Sequence, residues 1–218
     1  MVRVVLIAGL AALVQNAQAD EWKPVAGSML TEWGEQLDSK SVWSEYPRPQ
    51  LKRKKWVNLN GMWEYSITRI SDKRAGRWDG EILVPFAIEA PLSGVGRSLE
   101  PYEALWYRRN FKLQKEPKGR LLLHFEAVDY QSTVWVNGKE VGGHVGGNLP
   151  FSFDITDQVK AGRNTLVLKV VDRTNMDDSF QLSGKQKLVN RGIFYTRVSG
   201  IWQSVWLEPV PENYLKSL

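Results

Sequence analysis

Cysteine is absent from all 218 residues, and histidine occurs only twice, at His124 and His144. The first absence removes disulfide cross-links, so an apolar core must hold the folded chain. A chain this long buries about 70% of its unfolded surface, and a core alone suffices. The scarcity of histidine leaves too few ligands for a Cys/His zinc site or a three-histidine catalytic zinc, and no metal or cofactor is expected. A Ser-His-Asp triad would have to use one of these two histidines, and no G-x-S-x-G elbow exists to present the serine. Alternation places His124 at an out-facing strand position.

Long apolar runs are scarce as well. The run Val4–Val14 is too short for a bilayer, which takes about 20 residues. With Arg3 before it and Ala17-Gln18-Ala19 after it, residues 1–19 read as a secretory signal peptide. An exported protein, periplasmic or secreted, is therefore expected, with no membrane contact after cleavage. The positive balance is mild, at +5. Its densest patch, Lys52-Arg53-Lys54-Lys55, comes with no nucleic-acid motif and reads as a solvated lead-in to a strand, so no nucleic-acid partner is expected.

What is present is strand after strand. Residues 20–50 read as a weakly structured lead-in with a short helix around Met29–Leu37, ended by Pro47 and Pro49. From Leu51 the periodicity is two. Trp63, Tyr65 and Ile67 alternate with Glu64, Ser66 and Thr68, and Tyr107, Phe111 and Leu113 share one face. Asn137-Gly138 between two such runs predicts a two-residue hairpin, because a type I′ turn needs positive φ at both central residues. A last strand is expected over Ile201–Leu207, with Trp202 and Trp206 packing on one face. Eight or nine short strands without helical crossovers predict an all-β antiparallel sandwich or barrel over residues 51–211.

Two glycine-rich segments, Gly142–Gly147 and Ser93–Arg97, lack the spacing of a phosphate loop and read as loops needing positive φ or close backbone approach. Asp172, Asp177 and Asp178 have no calcium-loop pattern around them and read as a solvated loop. The aromatic, Arg and Asp residues between 172 and 206 are more pointed. Sugars stack their C–H faces on aromatic rings, and their hydroxyls match planar charged partners. Phe194 and Tyr195, between Gly192 and Gly200, are hard to place in a core.

Five segments, taken together, resemble a known family. Pro47-Arg48-Pro49-Gln50 with Trp56–Trp63, Leu105–Phe111, Val134–Lys139, Pro150–Thr156 and Gly192–Glu208 resemble, in order, the N-terminal sugar-binding domain of glycoside hydrolase family 2. That group contains β-galactosidases, β-glucuronidases and β-mannosidases. The resemblance implies a jelly-roll β-sandwich of the galactose-binding-domain type, with loops at the rim of a sugar pocket. It also implies a β-linked oligo- or polysaccharide as partner, and catalysis by a barrel that follows an immunoglobulin-like domain, in the same or an adjacent chain. No residue here matches the barrel's catalytic glutamates, so no catalytic residue is assigned and the chain alone is expected to be inactive. Residues 212–218 are expected to be the stub of a linker to a missing downstream domain. The rim candidates are Glu103, Asp172, Arg191, Phe194 and Tyr195, although the stretch Arg191–Tyr195 lacks the acidic residue that relatives often carry there. The alternatives are a freestanding carbohydrate-binding module and a structural or adhesion sandwich without ligand. Trp202 and Trp206 are expected to leave exposed apolar surface on the isolated chain.

Overall fold

Buried side chains recur at every second position from Ser132 to Val136 and from Asn164 to Val170, and the computed structural model, which describes residues 22–176 and 178–217, forms fourteen strands among them. In chain order they are β1 (Val57–Asn58), β2 (Gly61–Arg69), β3 (Gly80–Val84), β4 (Glu103–Leu113), β5 (Arg120–Phe125), β6 (Val128–Asp129) and β7 (Gln131–Val136). There follow β8 (Lys139–Val145), β9 (Phe151–Asp154), β10 (Gly162–Val171), β11 (Gln186–Lys187), β12 (Tyr195–Thr196), β13 (Gly200–Ile201) and β14 (Val205–Val210). The expected signal segment lies outside the described residues. A single α-helical turn, Glu32–Glu35, falls inside the expected Met29–Leu37; Thr31 caps it, its Oγ1 accepting from Gly34 N at 3.2 Å.

One sheet has the order β1-β14-β5-β9 and the other β3-β2-β4-β10-β7-β8, with antiparallel pairing throughout both. The longest ladder joins β4 and β10, from Gly162 opposite Leu113 to Val171 opposite Ala104. The core lies between the sheets. Leu121, Leu123 and Phe125 of β5 and Val205 and Leu207 of β14 join Trp63, Leu105, Tyr107, Val134, Val136, Leu166, Leu168 and Val170 of the larger sheet in one buried cluster. Each such side chain contributes about 1.5–3 kcal/mol on burial, which is how a cysteine-free chain holds together.

The predicted hairpin is formed by β7 and β8, with Asn137 at φ 51° and Gly138 at φ 80°. Three expectations need correction. Gly142–Val145 is not a loop but the second half of β8, where Gly142 lies so close to Phe153 that a Cβ would overlap the ring. The single strand expected over Ile201–Leu207 is broken: Trp202 lies between β13 and β14 and donates to Gly147 O at 2.7 Å. It therefore shares no strand face with Trp206.

The third correction concerns the outer face of the smaller sheet. His124 does point away from the core, as alternation requires, yet it is buried, because residues 42–56 cross that face as a strap. Trp206 is also fully buried there, so it offers no exposed apolar surface. His124 stacks on Trp206 at 4.0 Å, and Tyr46 meets Trp206 and Trp56 edge-on at 5.3 and 5.5 Å. At the centre is Glu208. Its Oε1 accepts from Tyr46 Oη at 3.1 Å, Arg48 Nη2 at 2.7 Å and Arg53 Nε at 2.9 Å, while Oε2 lies 3.0 Å from His124 Nε2. Arg53, part of the basic patch read as solvated, is thus an anchor of the strap. Burial alone raises the Glu208 carboxyl, but the bonds from His124 and Arg53 and the Arg48 charge outweigh it and bring it down to about 2.

Candidate functional site

The pairings Arg69–Glu103, Ala104–Val171, Gln131–Val171 and Gln131–Val145 bring the end of β2, the start of β4, the end of β10, the start of β7 and the end of β8 to one edge of the larger sheet. The long segment 172–199 leaves from that same end and returns at β13, which pairs with β6 through Gly200 and Asp129. Rigid strands thus deliver several loops to the same place.

Asp172, directly after β10, is the keystone of this end. Its Oδ1 accepts from Thr174 N, Thr174 Oγ1 and Gln181 Nε2 at 3.0, 2.8 and 2.6 Å. Its Oδ2 accepts from Arg197 Nε at 3.1 Å and Ser199 Oγ at 2.7 Å, and its backbone carbonyl takes Arg197 Nη2 at 2.8 Å. Burial raises its carboxyl, but the Arg197 charge and the bonds from Gln181 and Ser199 win and hold it below the usual carboxylate range. Asp172 is fully buried and its oxygens are taken, so it does not present itself to a sugar at the rim. It orders the segment that carries Arg191, Phe194 and Tyr195. Arg197 and Gln181 carry that role with it; Arg197 belongs to the set read between 172 and 206 but not to the five rim candidates, and Gln181 to neither. An arginine three residues before Gly200 has no local pattern that separates a buried partner from a surface charge.

Arg191, Phe194 and Tyr195 lie on that segment and are exposed. Its path turns on itself: Gln186 and Lys187 pair in parallel with Tyr195 and Thr196, Phe194 N donates to Arg191 O at 3.2 Å, and Gly192 supplies the positive φ of 62° in the turn. Arg191 and Phe194 line a depression of about 480 Å³ with Asn175, Lys187, Val189 and Gly192. Lys187 Nζ stands 5.4 Å from the centre of the Phe194 ring. Tyr195, 65% exposed, projects beside it. An exposed ring flanked by cationic donors is the arrangement that suits a sugar's C–H face and its hydroxyl or carboxylate groups.

Glu103 is placed elsewhere. It lines a larger depression of about 870 Å³ with residues 67–72 and Tyr102, which shares no lining residue with the first. Its Oε1 accepts from Arg97 Nη2 at 2.6 Å and its Oε2 from Glu100 N at 3.0 Å. The five sequence candidates therefore divide into three that share one loop, one beneath that loop, and one in a separate hollow. Asp178 pairs with Arg173 through both carboxylate oxygens, at 2.8 and 2.9 Å, and Asp177 lies outside the described residues.

Beneath the loop the charge balance is unusual. Glu89 accepts from Ser199 N at 2.9 Å and from Leu99 N at 3.3 Å, and lies 3.9 Å from Arg197. Asp129, only 3% exposed, accepts from Gln186 Nε2 at 3.2 Å through Oδ2, while its Oδ1 and the Arg197 Nη1 have no partner. Three buried carboxylates thus share one guanidinium. Burial, together with the Asp172 charge, pushes Asp129 up to about 7.

With this geometry in place, comparison with known proteins is informative. The family model described as "Glycosyl hydrolases family 2, sugar binding domain" matches residues 97–211, more than half of the chain. A β-galactosidase of Thermoanaerobacter pseudethanolicus is 35% identical over 116 residues, covering 52% of this chain and 14% of its own length. A β-glucuronidase of Paenibacillus borealis is 28% identical over 134 residues, covering 58% of this chain and 22% of its own. Among solved structures, a GH2 β-galacturonidase from Eisenbergiella tayi superposes with a TM-score of 0.53 at 25% identity, over 74% of this chain and 25% of that one. The chain thus spans about a fifth or less of the length of the curated relatives it matches.

Proposed function

Because the chain belongs to glycosyl hydrolase family 2 through its jelly-roll sugar-binding domain, we propose that it is the exported carbohydrate-binding N-terminal part of a family 2 glycosidase. In this reading it contributes the Arg191–Tyr195 loop to the rim of a sugar pocket. Hydrolysis of the O-glycosyl bond belongs to a barrel that follows an immunoglobulin-like domain, in the same or an adjacent chain.

The observation that carries the reading is the loop itself. Phe180, Leu182, Val189, Ile193 and Tyr195 are all more than 60% exposed along one segment that Asp172 and Arg197 hold from below. A sandwich needs no such apolar display for its own stability, and a display of this kind marks a surface meant to be covered. Relatives several times longer provide the covering class: a catalytic domain and, between it and the loop, a β-linked glycan. The names of those relatives point to galactosides and uronides, and Arg191 with Lys187 favours the anionic class.

Isothermal titration of the purified chain with neutral and uronic β-linked oligosaccharides tests this. Binding of the uronic series in the millimolar range or tighter, with no release of reducing sugar, is the expected result. Turnover by the chain alone would refute the assignment of catalysis to other domains, and no heat with any glycan would remove the rim site.

A further inference from the structure

The strand expected over Ile201–Leu207 breaks at Trp202, and beside the break lies a hollow of about 310 Å³. Its lining includes Pro47, Glu126, Asn148, Trp202, Gln203 and Ser204, and it shares no lining residue with the depression of Arg191 and Phe194. Among the described residues the side-chain amides of Asn148 and Gln203 have no hydrogen-bond partner. Glu126 uses one carboxylate oxygen, its Oε1 accepting from Trp206 Nε1 at 2.7 Å, and its Oε2 is free. We propose that this hollow is a carbohydrate subsite separate from the rim loop, and that it takes a neutral pyranose. The assignment does not rest on the rim site proposed above.

The backbone around the hollow is fixed from three sides. Trp202 N donates to Ala127 O at 3.3 Å and its Nε1 to Gly147 O at 2.7 Å, which pins both the indole and the residue just before Asn148. Glu126 N donates to Ser204 O at 3.0 Å, and Ser204 Oγ accepts from Asn60 Nδ2 at 3.1 Å, so Gln203 is held between anchored neighbours. The bond from Trp206 orients the Glu126 carboxylate. Groups set in place before a ligand arrives cost little to order when it binds. The break takes Trp202 out of the ladder, as irregularities beside binding sites commonly re-aim a side chain.

The chemistry of the lining selects the ligand. With its N–H committed, Trp202 has its ring left to offer, and an indole face suits the C–H face of a pyranose. A carboxylate oxygen accepts from hydroxyls, while carboxamides both donate and accept, so the three groups together match a ring bearing several hydroxyls. No Lys or Arg lines the hollow, and Arg48, next to Pro47, is spent on Glu208. The one charge present is negative, and it repels a sugar carboxylate. The rim depression has the opposite character, with Lys187 and Arg191 and no carboxylate in its lining.

Heteronuclear NMR of the full chain, read at the side-chain amides of Asn148 and Gln203 and the indole of Trp202, tests the proposal. The probes are methyl β-glucoside, methyl β-galactoside and methyl β-glucuronide, the last carrying a carboxylate in place of the hydroxymethyl group. At least one neutral glycoside should shift all three signals along one saturable curve, with a Kd of about 1–10 mM, and the glucuronide should not. Asn148→Ala and Gln203→Ala, neither in the core, should each weaken that binding by roughly three- to tenfold. Glu126→Gln keeps an acceptor for the Trp206 indole and removes the charge, so it should narrow the discrimination against the glucuronide. Shifts that never saturate, an affinity unchanged in both alanine variants, or an equal response to the glucuronide would each overturn the assignment. Tyr195→Ala separates the hollow from the rim. Neutral binding that survives that substitution supports a second site, whereas neutral binding lost with the ring would make the rim the only one and overturn the proposal. Saturation at these three signals with no uronic binding anywhere would keep the hollow and discard the rim site.

Discussion

Two buried carboxylates divide this molecule by opposite bookkeeping. Glu208, on the outer face of the smaller sheet, is met by two arginines, a tyrosine and a histidine, and it is held down at about 2. Asp129, beneath the 186–196 loop, has one amide donor, an unpartnered oxygen and two carboxylate neighbours, and it is pushed up to about 7. Both are almost wholly removed from water. Burial therefore does not decide what a charge does; the count of donors around it does. The first site closes a strap over a sheet face at any physiological pH. The second leaves a buried carboxylate short of donors beneath the 186–196 segment.

The sharpest way to break this contrast is Glu208→Ala. It strands Arg48, Arg53 and His124 against Trp206, and breaking a buried pair by removing one partner costs about 3–5 kcal/mol. Urea denaturation at pH 7 should register that loss, and a change below about 1 kcal/mol would show that the strap is not held by this carboxylate. Acid gives the same test without mutation. The folded value lies below the unfolded one, near 4.5, so the stabilisation is complete above about pH 4.5 and disappears as pH falls through about 2.

Asp129→Asn should act in the opposite sense. Here the folded value lies above the unfolded 3.8, so the group favours folding fully below about pH 4 and that contribution is lost as pH rises through about 7. Relative to wild type, the variant should be indistinguishable at pH 4 and more stable at pH 8, by on the order of 1–3 kcal/mol. A melting-temperature difference that did not depend on pH would make Asp129 an ordinary core residue. It would remove the asymmetry between the two sites.

The same contrast explains what was legible in the sequence. Asn137-Gly138 announces its turn because the demand for positive φ is met by two adjacent residues. The inward row Leu121, Leu123, Phe125 is visible because its period is local. Glu208 and its partners Tyr46, Arg48, Arg53 and His124 are separated by as many as 162 residues, and no spacing joins them. His124 was correctly placed on the outward side, but alternation says nothing about a strap that later covers it. Asp172 shows the same limit at the other end. Its place after β10 marks it as loop chemistry, while its saturation by Arg197, Ser199, Gln181 and Thr174 follows only from the folded path of residues 173–199. Phe194 and Tyr195 were readable as non-core because glycines bracket them, and they are exposed.

The smallest expected effect on stability is the most telling for function. Tyr195→Ala removes a ring that is 65% exposed and makes little packing contribution, so the unfolding free energy should stay within about 0.5 kcal/mol of wild type. If the loop is seated in order to present that ring, affinity for a uronic oligosaccharide should fall by roughly tenfold, about 1.4 kcal/mol, at pH 6. Calorimetry on both proteins reads this directly, and an unchanged affinity would mean that the Tyr195 ring does not touch the sugar.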